Sequence, residues 1–227
     1  MERQVLLDKL SEFLMVEQLG WQLYQVVAAR ATDPELRRHY EEFGRETSHH
    51  RAILLRLIGE LGGDPEYVSP CARLAQLKAE MLANTALVVD GLSPDEVQAN
   101  DLENVLIAET KDYADWNLLA RLVEQVDEPA IQNALQRAVQ EAGPQEEEHL
   151  RWAGGMLEEL GVRLVSEGPA PDRSAWQSAV SAPLPPIEAI HPAPMPADGQ
   201  LLPGATQPMW GAPPVARSLG AAGGGRA

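Results

Sequence analysis

Four apolar stripes with helical spacing run through the first 165 residues of this chain, and each is broken by one glutamate: Glu17, Glu46, Glu109 and Glu146. The first stripe is Leu6, Leu10, Phe13, Trp21, Tyr24 and Ala28, and the second is Leu36, Phe43, Ile53, Leu57 and Leu61. The third is Leu102, Val105, Tyr113, Trp116, Ala120 and Val123, and the fourth is Leu135, Ala142, Ala153, Met156 and Leu160. Steps of three and four lay such residues along one face of a helix. A carboxylate on a face that must be buried is costly unless it is paired or neutralised. Four helices of this kind therefore need a shared solution for their acids. Two of the glutamates open the phrases Glu46-Thr47-Ser48-His49 and Glu146-Glu147-Glu148-His149. In a helix, Glu-x-x-His aims a carboxylate and an imidazole the same way. His50 also shares a face with Glu46, four residues on; the spacing of the second phrase selects His49.

The boundaries are written in turn chemistry. Thr32-Asp33-Pro34 offers a capping acid and a proline at the first helical position, and Gly62-Gly63 supplies a stop. Ser69-Pro70 caps a weaker amphipathic helix carrying Leu74, Leu77, Met81, Leu82 and Val89 inward, within a long connection from Asp64 to Asn100. Ser93-Pro94-Asp95-Glu96 sets a capping box, Glu128-Pro129 starts the last long helix, and Gly161 is read as its end. Pro144, two residues before Glu146, predicts a kink or bulge there. At 1.5 Å per residue, Glu17 and Glu46 both stand about 21 to 22 Å from the turn between them, and Glu109 and Glu146 about 27 to 28 Å from theirs. The two halves also repeat one another. Glu17 is followed at four and seven residues by Trp21 and Tyr24, and Glu109 by Tyr113 and Trp116.

Charge narrows the partners. Residues 1–164 carry 30 acids against 15 bases, nearly all of the net −16. A surface of that sign repels nucleic acid and anionic lipid and draws cations. The one cysteine, Cys71, excludes an intramolecular disulfide and a four-thiolate metal centre. No signal-like leader follows Met1 and no 18-residue apolar run occurs, so the expectation is a cytoplasmic protein away from membranes.

These residues carry a resemblance. One glutamate from each of two helices, a Glu-x-x-His from each of two more and one long crossover resemble the ferritin-like superfamily, which includes the bacterioferritins and rubrerythrins. The resemblance covers residues 1–162 and implies an all-α, four-helix bundle with a short extra helix in its crossover. By similarity to bacterioferritin, Glu46 and Glu146 would bridge two metal ions, Glu17 and Glu109 would each bind one, and His49 and His149 would complete the two spheres. Two iron ions are implied, with manganese as the alternative, since carboxylate and imidazole donors suit either. Tyr24 matches a tyrosine that ferritins carry near the centre, in an electron-donating or ligand-orienting role. Asp112 falls near a position where rubrerythrins place an extra glutamate. The implied activity is oxidation of ferrous iron by dioxygen or peroxide. The alternatives are a rubrerythrin-like peroxidase or manganese catalase with an external reductant, and a non-enzymatic stress or scaffold bundle with a structural metal. An assembly of identical chains, dimer or larger, is expected. No Cys-x-x-Cys follows the bundle, so the iron–thiolate domain of full-length rubrerythrins has no counterpart, and nothing after Val165 resembles the fifth helix of cage-forming ferritins.

Residues 166–227 hold 12 of the 18 prolines and end in a glycine run, a composition expected to be disordered in isolation. Trp176, Ile187, Ile190, Met209 and Trp210 are apolar points through which such a tail docks a protein partner. Ser218-Leu219-Gly220 resembles the C-terminal peptide that loads some ferritin-like proteins into encapsulin shells. A plain spacer is the other reading.

Overall fold

The computed structural model describes residues 2–87, 89 and 91–167. The expected tail falls almost wholly outside them. Among the described residues there are five α-helices and no strand: α1 (Arg3–Arg30), α2 (Pro34–Glu60), α3 (Pro70–Leu87), α4 (Pro94–Val123) and α5 (Pro129–Glu167). Their starts follow the turn chemistry. Asp33 accepts from the Glu35 backbone ahead of Pro34, and Ser93 and Glu96 close a reciprocal capping box. At the end of α2, Gly62 has φ of 68°, its N–H donates to Gly59 and that of Gly63 to Ile58. This is a Schellman cap, which needs the left-handed backbone that glycine adopts freely.

α1 packs most extensively on α2, and α4 on α5; α1 with α4 and α2 with α5 join the two hairpins. Contacts give the directions. Tyr24 meets Glu109 while Glu17 meets Trp116, and Glu46 meets His149 while Glu60 meets Arg137, so both cross-pairs are antiparallel. Helices α2 and α4 consequently run the same way, and the chain between them must climb the length of a helix. α3 makes that climb, packed on α1 and α4.

The interior is layered. One apolar cluster is built around Leu10, Phe13, Leu54, Leu57, Leu119 and Leu135, and a second around Tyr24, Val27, Tyr40, Leu102, Val105 and Ala153. Between them lies a polar layer of Glu17, His50, Glu109, Asp112, Glu146 and His149, all buried.

Two expectations are corrected. α3 turns Leu74, Leu77 and Met81 outward, at 59%, 55% and 63% exposure, and buries Ala72, Ala75 and Ala86. Small side chains let α3 lie close to α1, and that face wins over the larger residues. α5 does not stop at Gly161 but continues to Glu167, because Leu164 still packs on the second cluster and an internal glycine costs only about 1 kcal/mol. The α-helix runs unbroken through Pro144.

Candidate metal centre

The polar layer sits where the ladders of the long helices pass one another. On α2 the buried residues step Leu36, Tyr40, Phe43, Thr47, His50, Leu54 and Leu57, and on α5 they step Leu135, Ala138, Ala142, Glu146, His149 and Ala153. His50 lies on the α2 ladder and His49 beside it. His49 is accordingly exposed and pairs with Glu141 at 2.9 Å, also on the surface. The histidine brought inward is His50, which is fully buried. The expectation for His49 is therefore replaced.

Two groups of donors come together, with ligand-type atoms lying within 4.8 Å of one another in each. Glu17, His50 and Glu146 form one; Glu109, Glu146 and His149 form the other. Glu146 is common to both. Glu46 belongs to neither: it stands at the rim, its side chain 29% exposed, accepting from His149 Nε2 at 2.7 Å and Gln145 Nε2 at 3.0 Å.

Gln145, which the sequence reading did not single out, fixes the first imidazole. Its amide nitrogen donates to Glu46, so its oxygen faces His50 Nε2 at 2.8 Å and accepts from it. Burial holds His50 at about 4, below the usual histidine range, so near neutrality the ring carries its single proton on Nε2. Nδ1 then offers a lone pair towards Glu146 and Glu17 Oε1, the latter 3.8 Å away. His149 is placed in the same way but protonated differently, with Nε2 on Glu46 and Nδ1 facing Glu109 Oε2 at 3.4 Å. Burial opposes charge on His149, but Glu109 and Glu46 overcome it and hold the imidazole at about 10.

The carboxylates are crowded. Burial, followed by Asp112 and Glu146, pushes Glu17 well above its ordinary value; burial and then Glu109 does the same to Glu146, and burial and then Glu146 to Asp112. Two donors brace the layer: Trp116 Nε1 to Glu17 Oε1 at 2.8 Å, and the Tyr24 hydroxyl to Glu109 Oε1 at 2.7 Å. Six ligand-type atoms of the two donor groups find no hydrogen-bond partner, namely Glu17 Oε2, both Glu146 oxygens, Glu109 Oε2, and Nδ1 of His50 and of His149, and Asp112 Oδ1 beside them finds none either. Buried polar atoms are rarely left unpaired. Six such atoms facing one interior region fit a pair of metal ions, with imidazoles oriented from behind by Gln145 and Glu46 as outer-shell groups orient metal-bound histidines.

No protein-family model, curated protein or solved structure gives a match to this chain. The site is thus read from its own chemistry.

Of the residues expected from sequence, Glu17, Glu109, Glu146 and His149 converge as ligands would, Glu46 braces His149 from the rim, and Tyr24 touches the centre through Glu109. Asp115 is a further buried acid, pushed up to about 6 by burial and paired with Lys111. Its signal in the sequence was its position three residues after Asp112, on the side of α4 that also carries Leu119. Among the described residues no helix is long and apolar enough to cross a membrane.

Proposed function

We propose that residues 2–167 form a ferritin-like four-helix bundle holding a two-metal carboxylate centre, and that the centre oxidises ferrous iron with dioxygen or peroxide. The observation that supports this most is the pair of buried imidazoles, each with an Nδ1 turned towards a carboxylate of the layer, that of His50 towards Glu146 and that of His149 towards Glu109. Glu146 would lie between two ions, Glu17 and His50 would hold one, and Glu109 and His149 the other. Bound iron would supply one electron per ion to the oxidant.

The chain's own contribution is charge, protons and access. Glu17, Glu46, Glu109 and Glu146 together balance two divalent ions, which would offset the burial and the mutual repulsion that raise Glu17 and Glu146 well above the ordinary carboxylate range. Asp112, pushed up by burial and by Glu146, keeps a proton beside the centre for the reduced oxidant to take. Glu46, half-exposed and held below its ordinary value by the hydrogen bond from His149, is an ionised carboxylate at the mouth and draws an incoming cation. The net charge of −16 strengthens that draw at low ionic strength.

The test is anaerobic titration of the full chain with ferrous iron, followed by mixing with dioxygen or peroxide while the ferric absorbance is followed. Two ions per chain and oxidation faster than in buffer support the reading. Binding without turnover would mean a structural metal, and turnover of peroxide only with manganese bound would mean a catalase. No binding would end all three.

A further inference from the structure

α3 turns alanines towards the bundle, and side chains that small leave space beside the leucines and valines of α1. The space is an apolar cavity of about 160 Å³ between α1, α3 and α4, walled by Leu19, Leu23 and Val26 of α1, Ala79 and Ala83 of α3 and Ile107 of α4. The exposed members of its wall are Ile107 and Lys78, which places its mouth between α3 and α4. No member of the two donor groups lines it. Gln22 does, and it is 4% exposed. Neither the oxygen nor the nitrogen of its side-chain amide finds a hydrogen-bond partner among the described residues.

We propose that this cavity binds a small uncharged molecule, a ring-sized apolar body carrying one amide or lactam group that pairs with the side chain of Gln22. Size, hydrogen bonding and charge select that chemistry. An apolar cavity of about 150 Å³ holds a molecule the size of benzene. A buried amide unpaired at both atoms is unfavourable, and it calls for a partner that donates to Oε1 and accepts from Nε2 together. An amide or lactam does both from adjacent atoms. Charge is disfavoured inside. Glu80, 8% exposed, lines the cavity and accepts from Gln76, while Lys111 lines it but is held by Glu12 and Asp115. An anion would meet a buried acid with the nearby lysine already taken, and a cation would shed its water against an apolar wall.

Gln22 separates this cavity from a plain packing gap. A leucine at that position would complete the apolar wall formed by Leu19, Leu23 and Val26 without burying an unpaired polar group. The amide instead discriminates. A hydrocarbon gains the apolar wall and leaves Gln22 unpaired, whereas an amide of the same size gains the wall and pairs both atoms, so the difference between the two is the specificity of the site. The cavity is also separate from the metal centre. Val16 and Ala108 line it one residue from Glu17 and Glu109, on sides of their helices turned about 100° from those ligands, so binding here needs no ion in the centre.

The experiment uses the full-length protein and three probes of similar size: benzamide, toluene and benzoate. Calorimetric titration gives the affinities, and nitrogen–proton NMR follows the Gln22 side-chain amide, identified as the pair of signals missing from Gln22→Leu. Benzamide is expected to bind at least about 10-fold more tightly than toluene or benzoate and to shift the Gln22 amide signals. In Gln22→Leu that preference should vanish, with toluene bound no more weakly than by the wild type and the ligand-free melting temperature not lowered. Ala83→Leu fills the cavity, leaves Gln22 in place and should weaken both benzamide and toluene. Equal binding of benzamide and toluene, a preference kept in Gln22→Leu, or tightest binding of benzoate overturns the site. So does no binding of any probe, the result expected if water or a second copy of the chain already occupies that face. Should Ala83→Leu fail to fold, Gln22→Leu carries the test alone. Ferrous titration of the same preparations reports on the centre separately: iron bound without benzamide sinks only this site, and benzamide bound without iron sinks only the two-metal reading.

Discussion

At the level of single residues, the difference between His49 and His50 decides where the chemistry is. The two side chains are adjacent in sequence but about 100° apart around the helix, and one is at the surface while the other is fully buried. His50→Ala is expected to abolish or severely weaken binding of one ferrous ion under argon, whereas His49→Ala binds both; calorimetric titration of the two variants checks this, and matching isotherms would place neither histidine at a metal. Gln145→Leu should weaken ferrous binding about 10- to 100-fold without touching an ion, since it frees the His50 ring to turn and change tautomer. The signal for His50 was present in the sequence: Phe43, His50 and Leu57 are seven apart, the step of a helix ladder. Reading the Glu-x-x-His phrase as a repeat aligned Glu46 with Glu146. The ladders align Thr47 with Glu146 and His50 with His149, one residue out of step, which puts Glu46 opposite Gln145 at the rim. Neither the hydrogen bond between those two nor the tautomer it sets can be read from spacing, because both depend on how α2 and α5 rotate against each other.

Helices were legible where local chemistry fixes them and less so where packing does. The caps at Asp33 and Ser93 and the stop at Gly62 stand as the residue types imply, since each satisfies backbone groups within a few positions. The faces of α3 were not legible. Its larger apolar residues and its alanines lie on different sides, and hydrophobicity alone favours the larger ones; the inward side instead carries Ala72, Ala75 and Ala86, with Ala75 and Ala86 lining an apolar cavity together with Val16, Leu19, Gly20 and Leu23 of α1. Two substitutions separate these faces. Ala72→Leu inserts three carbons at a fully buried position of α3 and is expected to cost about 1–3 kcal/mol. Leu77→Ala, on the outward side, should change stability by less than about 0.5 kcal/mol. Urea melts of both variants measure the difference, and a larger loss from Leu77→Ala would mean that this leucine is covered. The continuation of α5 past Gly161 follows the same rule, because Leu164 finds a place on the second apolar cluster and the glycine's cost is too small to end the helix.

Across the whole molecule, the polar layer makes stability depend on pH and cations in a direction that can be worked out. Glu17, Glu146 and Asp112 have folded values raised well above the ordinary carboxylate range, and Asp115 stands at about 6. The unfolded chain releases these protons near pH 4 while the folded chain keeps them, so each group makes folding less favourable as pH rises from its unfolded to its folded value. His149 adds to this at higher pH: its folded value of about 10 lies above the unfolded one, so the stability it contributes is complete below about pH 6.5 and is lost on the way up. His50 works the other way. Its folded value of about 4 means that the unfolded chain alone binds its proton below about pH 6.5, and stability is lost as pH falls through that range. Four acids outweigh one histidine, and the metal-free protein should lose melting temperature steadily between about pH 5 and pH 8. Asp112→Asn removes one of the crowded acids without touching either three-residue donor group, so it should raise the metal-free melting temperature most at the upper end of that range. Glu147→Gln, on the exposed side of α5, should leave the curve unchanged. Ferrous iron under argon, binding the folded form alone, should restore the lost stability at the upper end and flatten the wild-type curve. Differential scanning calorimetry with chelator and with iron tests all of these together. A chelated wild type whose melting temperature rises from pH 5 to pH 8 would mean that the acids of the layer are ionised and paired in the folded chain, and the crowding that favours two cations would be gone.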